Sequence, residues 1–292
     1  MTANVRADDQ VQEALINLFQ GSMPEKKEEV STLLQDLTVV FQMLPDVHPD
    51  GRVIMDAGLY RYVRFNQRVT RAFWIGSFAA WEGYRSVAEG GSAGEFDIEK
   101  LKAMISAFEA TIENDQADDT PLPTGIPEPG YLPEMEEDPQ RRAAAELSII
   151  ALGWAFLHEV RHIRHQREGT SAGAFGSPES KRQEEFSCDE FATRFILEGI
   201  PLYSDESGDD AQSVKKKREL AIYFALFAMT LLSKNKWEES ETHPAVQARI
   251  DAVCAAIGQD RNEDAVAIAN MAFTALRKVW PAAPMIMAGQ AA

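Results

Sequence analysis

Most of the chain carries apolar residues three and four positions apart, the period of a helix with one buried face. This pattern predicts helices over residues 11–20, 26–44, 68–89, 97–114, 212–233, 244–257 and 262–280. Asp138 as cap, Pro139 in the first turn and Gly169 as stop bracket a further long, largely apolar helix. Another runs over 179–197, with Phe186, Phe191, Phe195 and Ile196 on its apolar side. From Pro45 to Gly51 the period breaks into a turn-rich stretch. After it, 52–55 and 60–65 read as short strands, the second alternating aromatic or apolar residues with Arg61 and Arg64. No internal repeat is visible. The expectation is a mainly α fold of the α+β kind with a small sheet.

Residues 113–138 break the helical pattern. They hold Asp and Glu but no Lys or Arg, and Pro121, Pro123, Pro127, Pro129 and Pro133 keep them from becoming helix. The segment reads as a linker between an N-terminal helical region, 1–112, and a catalytic region, 139–292. It reads alternatively as a flap beside a cleft, anchored by Ile126, Tyr131 and Leu132. The stretch 169–177 is a Gly/Ser-rich, mobile loop by composition, and the apolar tail 281–292 is expected to dock.

Composition narrows the partners. A net charge of −17 argues against nucleic acid and against anionic membranes. Two cysteines, Cys188 and Cys254, suggest a reducing compartment. Residues 1–10 carry no apolar signal core, and the longest apolar run, 221–232, falls short of the ~20 residues that span a bilayer. A cytoplasmic location is the simplest expectation.

Candidate chemistry sits on the long helix. His158-Glu159-Val160-Arg161-His162 reads His-Glu-x-x-His. Five His and 46 acidic residues in 292 positions put the chance expectation of this pattern at about 0.01 per chain. Imidazoles four apart stand one helical turn from each other and can reach one zinc ion at about 2.0–2.1 Å. Glu159 then lies beside the metal, placed to take a proton from water and return it to the leaving amine. Leu147, Ile150, Trp154 and Leu157 make the helix largely buried, and buried histidines without a partner are costly. The third ligand is expected from the next helix. Glu185 and Asp189 share a face there, so Glu185 can ligate while Asp189 accepts the far N–H of a ligand histidine. Glu184 and Asp189 remain rival ligands. Cys188 reads as core packing rather than as a ligand.

The run Arg182-x-x-Glu185-Phe186-x-x-Asp189, followed by Thr242-His243-Pro244 and Arg249-Ile250, resembles the gluzincin peptidases of the HtpX type. Cys188 stands where their pattern has a small Ala, and this chain lacks their membrane helices. In length, in the midway position of the zinc helix and in the Cys188-Asp189 pair, the chain is also similar to the phage-exclusion peptidases of the Lit type. The motif match covers about a third of the chain, from the candidate zinc helix to Ile250. The resemblance implies a zincin-like helical metallopeptidase with a small sheet beside the zinc helix. It implies zinc on His158, His162 and Glu185, with Glu159 as the catalytic acid–base. It also implies a latent host-protein protease with a phage-derived activator, and elongation factor Tu as the suggested substrate.

Other residues carry weaker roles. His243 could donate to an oxyanion, or simply precede a helix start at Pro244. Arg249 is expected to buttress Asp189 or Glu185. Tyr203 and Tyr223 are weaker oxyanion candidates, His165 reads as solvated, and His48 sits in a turn. A rival class is a non-catalytic, zinc-stabilised helical regulator, which would not need Glu159. A plain helical interaction protein without metal is a third.

Overall fold

The structure is a computed structural model, and it describes residues 8–90, 97–173 and 175–286. It is mainly helical. In chain order come α1 (Asp8–Ser22), α2 (Lys27–Asp36), β1 (Val40–Leu44), β2 (Met55–Ala57), β3 (Tyr62–Asn66), α3 (Gln67–Glu89) and α4 (Glu99–Glu113). Then follow α5 (Pro139–Glu168), α6 (Pro178–Glu198), α7 (Ile200–Ser207), α8 (Ala211–Leu232), α9 (Val246–Ile257) and α10 (Glu263–Val279).

α5 is the axis of the fold. Its start and stop are those expected from the sequence. Asp138 caps it by accepting from the Arg141 amide at 2.9 Å, and Pro139 opens the first turn. Gly169 ends it at φ 70°, a left-handed conformation that a side chain would resist. The helix packs on α3, α6 and α8 and, through its outer side, on α1. It is also the one helix among the described residues long and apolar enough to cross a membrane, and 78% of that apolar window is buried inside the fold. That is how a core helix reads by composition.

Neighbouring helices approach closely where small residues allow it. A Cβ on Gly76 of α3 would lie 3.0 Å from the Ala228 Cβ of α8. Any larger residue at position 76 would therefore push these helices apart.

The sheet is three-stranded with order β1-β3-β2. β1 runs parallel to β3, pairing Val40 with Tyr62 and Leu44 with Asn66. β2 runs antiparallel to β3, with Met55 opposite Phe65, and lies at the sheet's edge. Aromatic packing fixes the sheet to the back of α5. Phe156 meets Phe41 edge-on at 5.8 Å and Phe65 edge-on at 5.0 Å. Each such pair adds about 0.5–1.5 kcal/mol beyond burial.

Two expectations fail here. The helix expected over 26–44 ends at Asp36, and its last third becomes β1. Thr38 adopts φ 46° and its amide donates back to the Gln35 carbonyl, so the chain turns without a Gly or Pro to announce it. The Gln12 side chain then holds Phe41 through both its backbone N–H and C=O. The strand expected over 52–55 shifts to Met55–Ala57, and α7 was not anticipated at all.

Residues 113–138 pack as irregular chain against α3 and α5. Trp74 Nε1 donates to the Pro127 carbonyl at 2.8 Å, and Arg142 Nη1 to the Pro133 carbonyl at 3.1 Å. The tail docks on α9 as far as it is described, with Gln247 making both backbone hydrogen bonds of Met285 and Ile286 fully buried. Residues 287–292 of that tail, and residues 1–7 of the N-terminus, lie outside the described residues.

Candidate metal centre and active-site cleft

A cleft of about 620 Å³ opens over the C-terminal half of α5. Its floor is Trp154, Ala155, His158, Glu159 and His162, its apolar end includes Val69, Phe73 and Met229, and edge strand β2 forms one wall through Met55, Asp56 and Ala57. Glu184 and Glu185 of α6 face it from the other side, with His243 and Arg249. None of the residues lining it comes from 113–138.

Helix periodicity brings the two imidazoles together. The Nε2 atoms of His158 and His162 lie 3.2 Å apart. Glu185 meets both, with Oε2 3.5 Å from His158 Nε2 and Oε1 3.3 Å from His162 Nε2. Each Nδ1 faces a carboxylate, Asp189 Oδ1 at 2.9 Å for His158 and Glu184 Oε1 at 2.7 Å for His162. With each Nδ1–H donated, both Nε2 lone pairs face the Glu185 oxygens. Acceptors that converge in this way call for a cation between them.

His158, His162 and Cys188 form a second possible donor set, with ligand atoms within 4.8 Å of one another. Cys188 is fully buried, and burial pushes its thiol up to about 11. It lies outside the lining of the cleft, whereas Glu185 faces the open space.

The electrostatics follow from burial set against close partners. In the metal-free site burial pushes the Glu185 carboxyl up, but protonated His158 and His162, which then donate to it from Nε2 where a metal would otherwise sit, and the charge of Arg249 outweigh that and hold it well below the usual carboxylate range. Asp189 has 0% exposure, and burial would raise it too. Arg249 reverses that shift, donating from Nε to Oδ2 at 2.8 Å and from Nη2 to Oδ1 at 2.7 Å. Its Nη1 also lies 3.4 Å from Glu185 Oε2. Burial raises Glu159, which lines the cleft one residue after His158.

His243 sits at the mouth of the cleft, 60% exposed, with Nε2 3.8 Å from Glu185 Oε1. Its Nδ1 is 2.7 Å from the Thr242 hydroxyl. The loop that carries it is closed on itself by Val246 N–H to the Trp237 carbonyl, 2.8 Å, and is tied to α6 by Arg182 donating to the Ser240 carbonyl, 3.2 Å.

Some sequence-level candidates lie elsewhere. Tyr223 is fully buried on α8, Tyr203 stacks with Arg218, and neither lines the cleft. His165 is not solvated, because it is 8% exposed and its ring bonds Thr170 and Ser187. The residue under-read from sequence is Glu184, weighed there only as a ligand. Besides His162 it accepts from the Ala172 amide at 2.6 Å and from the Ser171 hydroxyl at 3.3 Å, joining the loop 169–177 to the histidine. The available signal was that two histidines expected as ligands would need two acceptors, and Glu184 and Asp189 of α6 flank the expected third ligand.

A model of the Peptidase U49 family matches residues 63–272, from β3 into α10, which takes in the cleft's helical floor and sides but not its β2 wall. No curated protein and no solved structure matches the chain. The match covers well over half of the sequence, and the chain belongs to the Peptidase U49 family of peptidases.

Proposed function

We propose that this peptidase is a zinc-dependent endopeptidase in which His158, His162 and Glu185 hold the metal. The observation that carries the reading is the spacing of the donors. A tetrahedral zinc with bonds of about 2.0–2.1 Å separates its ligand atoms by about 3.3–3.4 Å. The two nitrogen donors here lie 3.2 Å apart, and the Glu185 carboxylate straddles them, with Oε1 3.3 Å from His162 Nε2 and Oε2 3.5 Å from His158 Nε2. When bound, zinc supplies Lewis acidity, lowering the pKa of a water towards about 7 and polarising a carbonyl.

The protein's own residues do the rest. Glu159 takes a proton from the water that attacks the scissile carbonyl carbon, then delivers it to the amine nitrogen as the C–N bond breaks. A Thr242 hydroxyl donated to Nδ1 leaves His243 with its N–H at Nε2, facing the cleft, where it can donate to the oxygen gaining charge. Asp189 and Glu184 hold the two imidazoles in the tautomer that presents Nε2. Edge strand β2 offers unpaired backbone groups along the cleft wall, which suits an extended peptide.

The Lit-type resemblance supports a finer reading, a latent cytoplasmic protease that acts on a host protein in phage defence. Elongation factor Tu is the suggested substrate and a phage-derived component the trigger. Free Cys188 and Cys254 agree with a reducing compartment.

The test is Glu159→Gln, which keeps the shape and removes the base. Metal content should match wild type while hydrolysis falls by at least about 10²-fold, the low end of general acid–base help. Cleaved termini in a host lysate, compared between the two proteins, identify the substrate. Full activity in Glu159→Gln would overturn the mechanism. His158→Ala, His162→Ala and Glu185→Ala should each lose stoichiometric zinc while Cys188→Ala keeps it. Zinc loss in Cys188→Ala with retention in Glu185→Ala would move the third ligand.

A further inference from the structure

A second cavity, of about 500 Å³, lies across α5 from the cleft. Leu152 and Phe156 face it, while Ala155, His158 and Glu159 of the same helix face the cleft. Leu15 and Leu18 of α1 and Met43 of β1 extend its apolar wall. The other end is polar. Gln67, Thr70 and Arg71, from one turn of α3, meet Asp118 and Glu128 from the irregular segment.

Arg71 is the unusual member. It is 4% exposed, and one of its terminal nitrogens donates to the Thr120 carbonyl. Another lies 3.7 Å from Glu128 Oε2, too far for a hydrogen bond. Its Nε is buried with no hydrogen-bond partner. A buried charged donor without an acceptor is expensive, and such groups ordinarily find one. Glu128, in contrast, is 79% exposed and only loosely held.

We propose that this cavity binds a small zwitterion with an apolar side chain, a free hydrophobic α-amino acid. Its carboxylate meets the Arg71 guanidinium, its ammonium meets Glu128, and its side chain lies among Leu15, Leu18, Leu152 and Phe156. The charges select this class over simpler ones. A fatty acid would bring a carboxylate to Arg71 but set like charge beside Glu128. A neutral hydrocarbon would leave the polar end, Arg71 and Glu128, without a counter-charge. Pockets of roughly 300–1,000 Å³ suit small molecules, so the volume accepts such a ligand.

Titration calorimetry on the full chain tests this with L-leucine and L-phenylalanine as probes. Saturable binding is expected for at least one of them. N-acetyl-L-phenylalanine, which lacks the ammonium, and phenethylamine, which lacks the carboxylate, should each bind at least about tenfold more weakly. Leu152→Trp fills the apolar end and should abolish binding, as should Arg71→Met, each checked for fold by circular dichroism. The chain stripped of metal by a chelator should bind as the metal-loaded chain does, which separates this site from the catalytic one; loss of binding on metal removal would overturn the proposal. Absence of saturable binding at millimolar probe would overturn the proposal. So would equal binding of the charged and truncated probes to the wild-type chain, a comparison that needs no variant.

Discussion

The two histidines of α5 stand one turn apart, yet they are held by different kinds of structure. His158 leans on Asp189, a residue with 0% exposure that Arg249 of α9 grips through two nitrogens. Every member of that arm sits on a regular helix, and α6 and α9 pack against each other. His162 leans on Glu184, whose other partners are the Ser171 hydroxyl and the Ala172 amide of a loop at the cleft's rim. One arm is set by helix packing and the other by a segment that substrate can touch. A metal held by these two histidines would have a fixed half and an adjustable half.

The largest effect should come from breaking the fixed arm at its source. Arg249→Met removes the cation that neutralises Asp189 and lies beside Glu185. Removing one partner of a buried ion pair strands the other charge and typically costs about 3–5 kcal/mol. Urea denaturation of the metal-free protein should show a loss of that order. A loss below about 1 kcal/mol would mean that water reaches Asp189 and that the arm is not rigid.

Asp189→Asn tests the same arm with less damage. The amide keeps the shape but weakens the acceptor for His158 Nδ1 and leaves Arg249 without its main countercharge. Loss of an outer-shell carboxylate typically lowers metal affinity by about 10–100-fold. Zinc competition against a chelator should place Asp189→Asn in that range. Unchanged affinity would detach Asp189 from the metal centre.

What the sequence could reveal follows the same division. His158, Glu159 and His162 were legible because a helix fixes residues four apart on one face. Glu185 and Asp189 were legible for the same reason once α6 was recognised. The Asp189–Arg249 pairing came only from the family resemblance, since it joins residues 60 positions apart. The Glu184 connection was hidden because it depends on the course of 169–177, a stretch with no period to read. β1 was hidden too. Val39-Val40-Phe41-Gln42-Met43-Leu44 suits a helix or a strand equally, and its choice is made by β3 and by Gln12, 29 positions before Phe41. Short-range geometry is carried by the residues themselves, whereas pairing across the chain needs the fold.

The smallest expected effect is also the sharpest test of the adjustable arm. Glu184→Gln keeps one acceptor oxygen for His162 Nδ1 but cannot accept from the Ala172 amide without giving up that role or turning its amide group. Glu184 also bonds at the partly exposed edge of the site, where lost electrostatics are better replaced by water than at Asp189. Zinc affinity should therefore fall by about tenfold or less, the mild end of outer-shell substitutions. Amide exchange at Ala172 should quicken in the same variant, while amides of α6 keep their protection. KM should rise more than kcat falls, because the loop that loses its tether lines the substrate cleft. A zinc loss as large as that of Asp189→Asn, with no change at Ala172, would show that both arms are equally rigid.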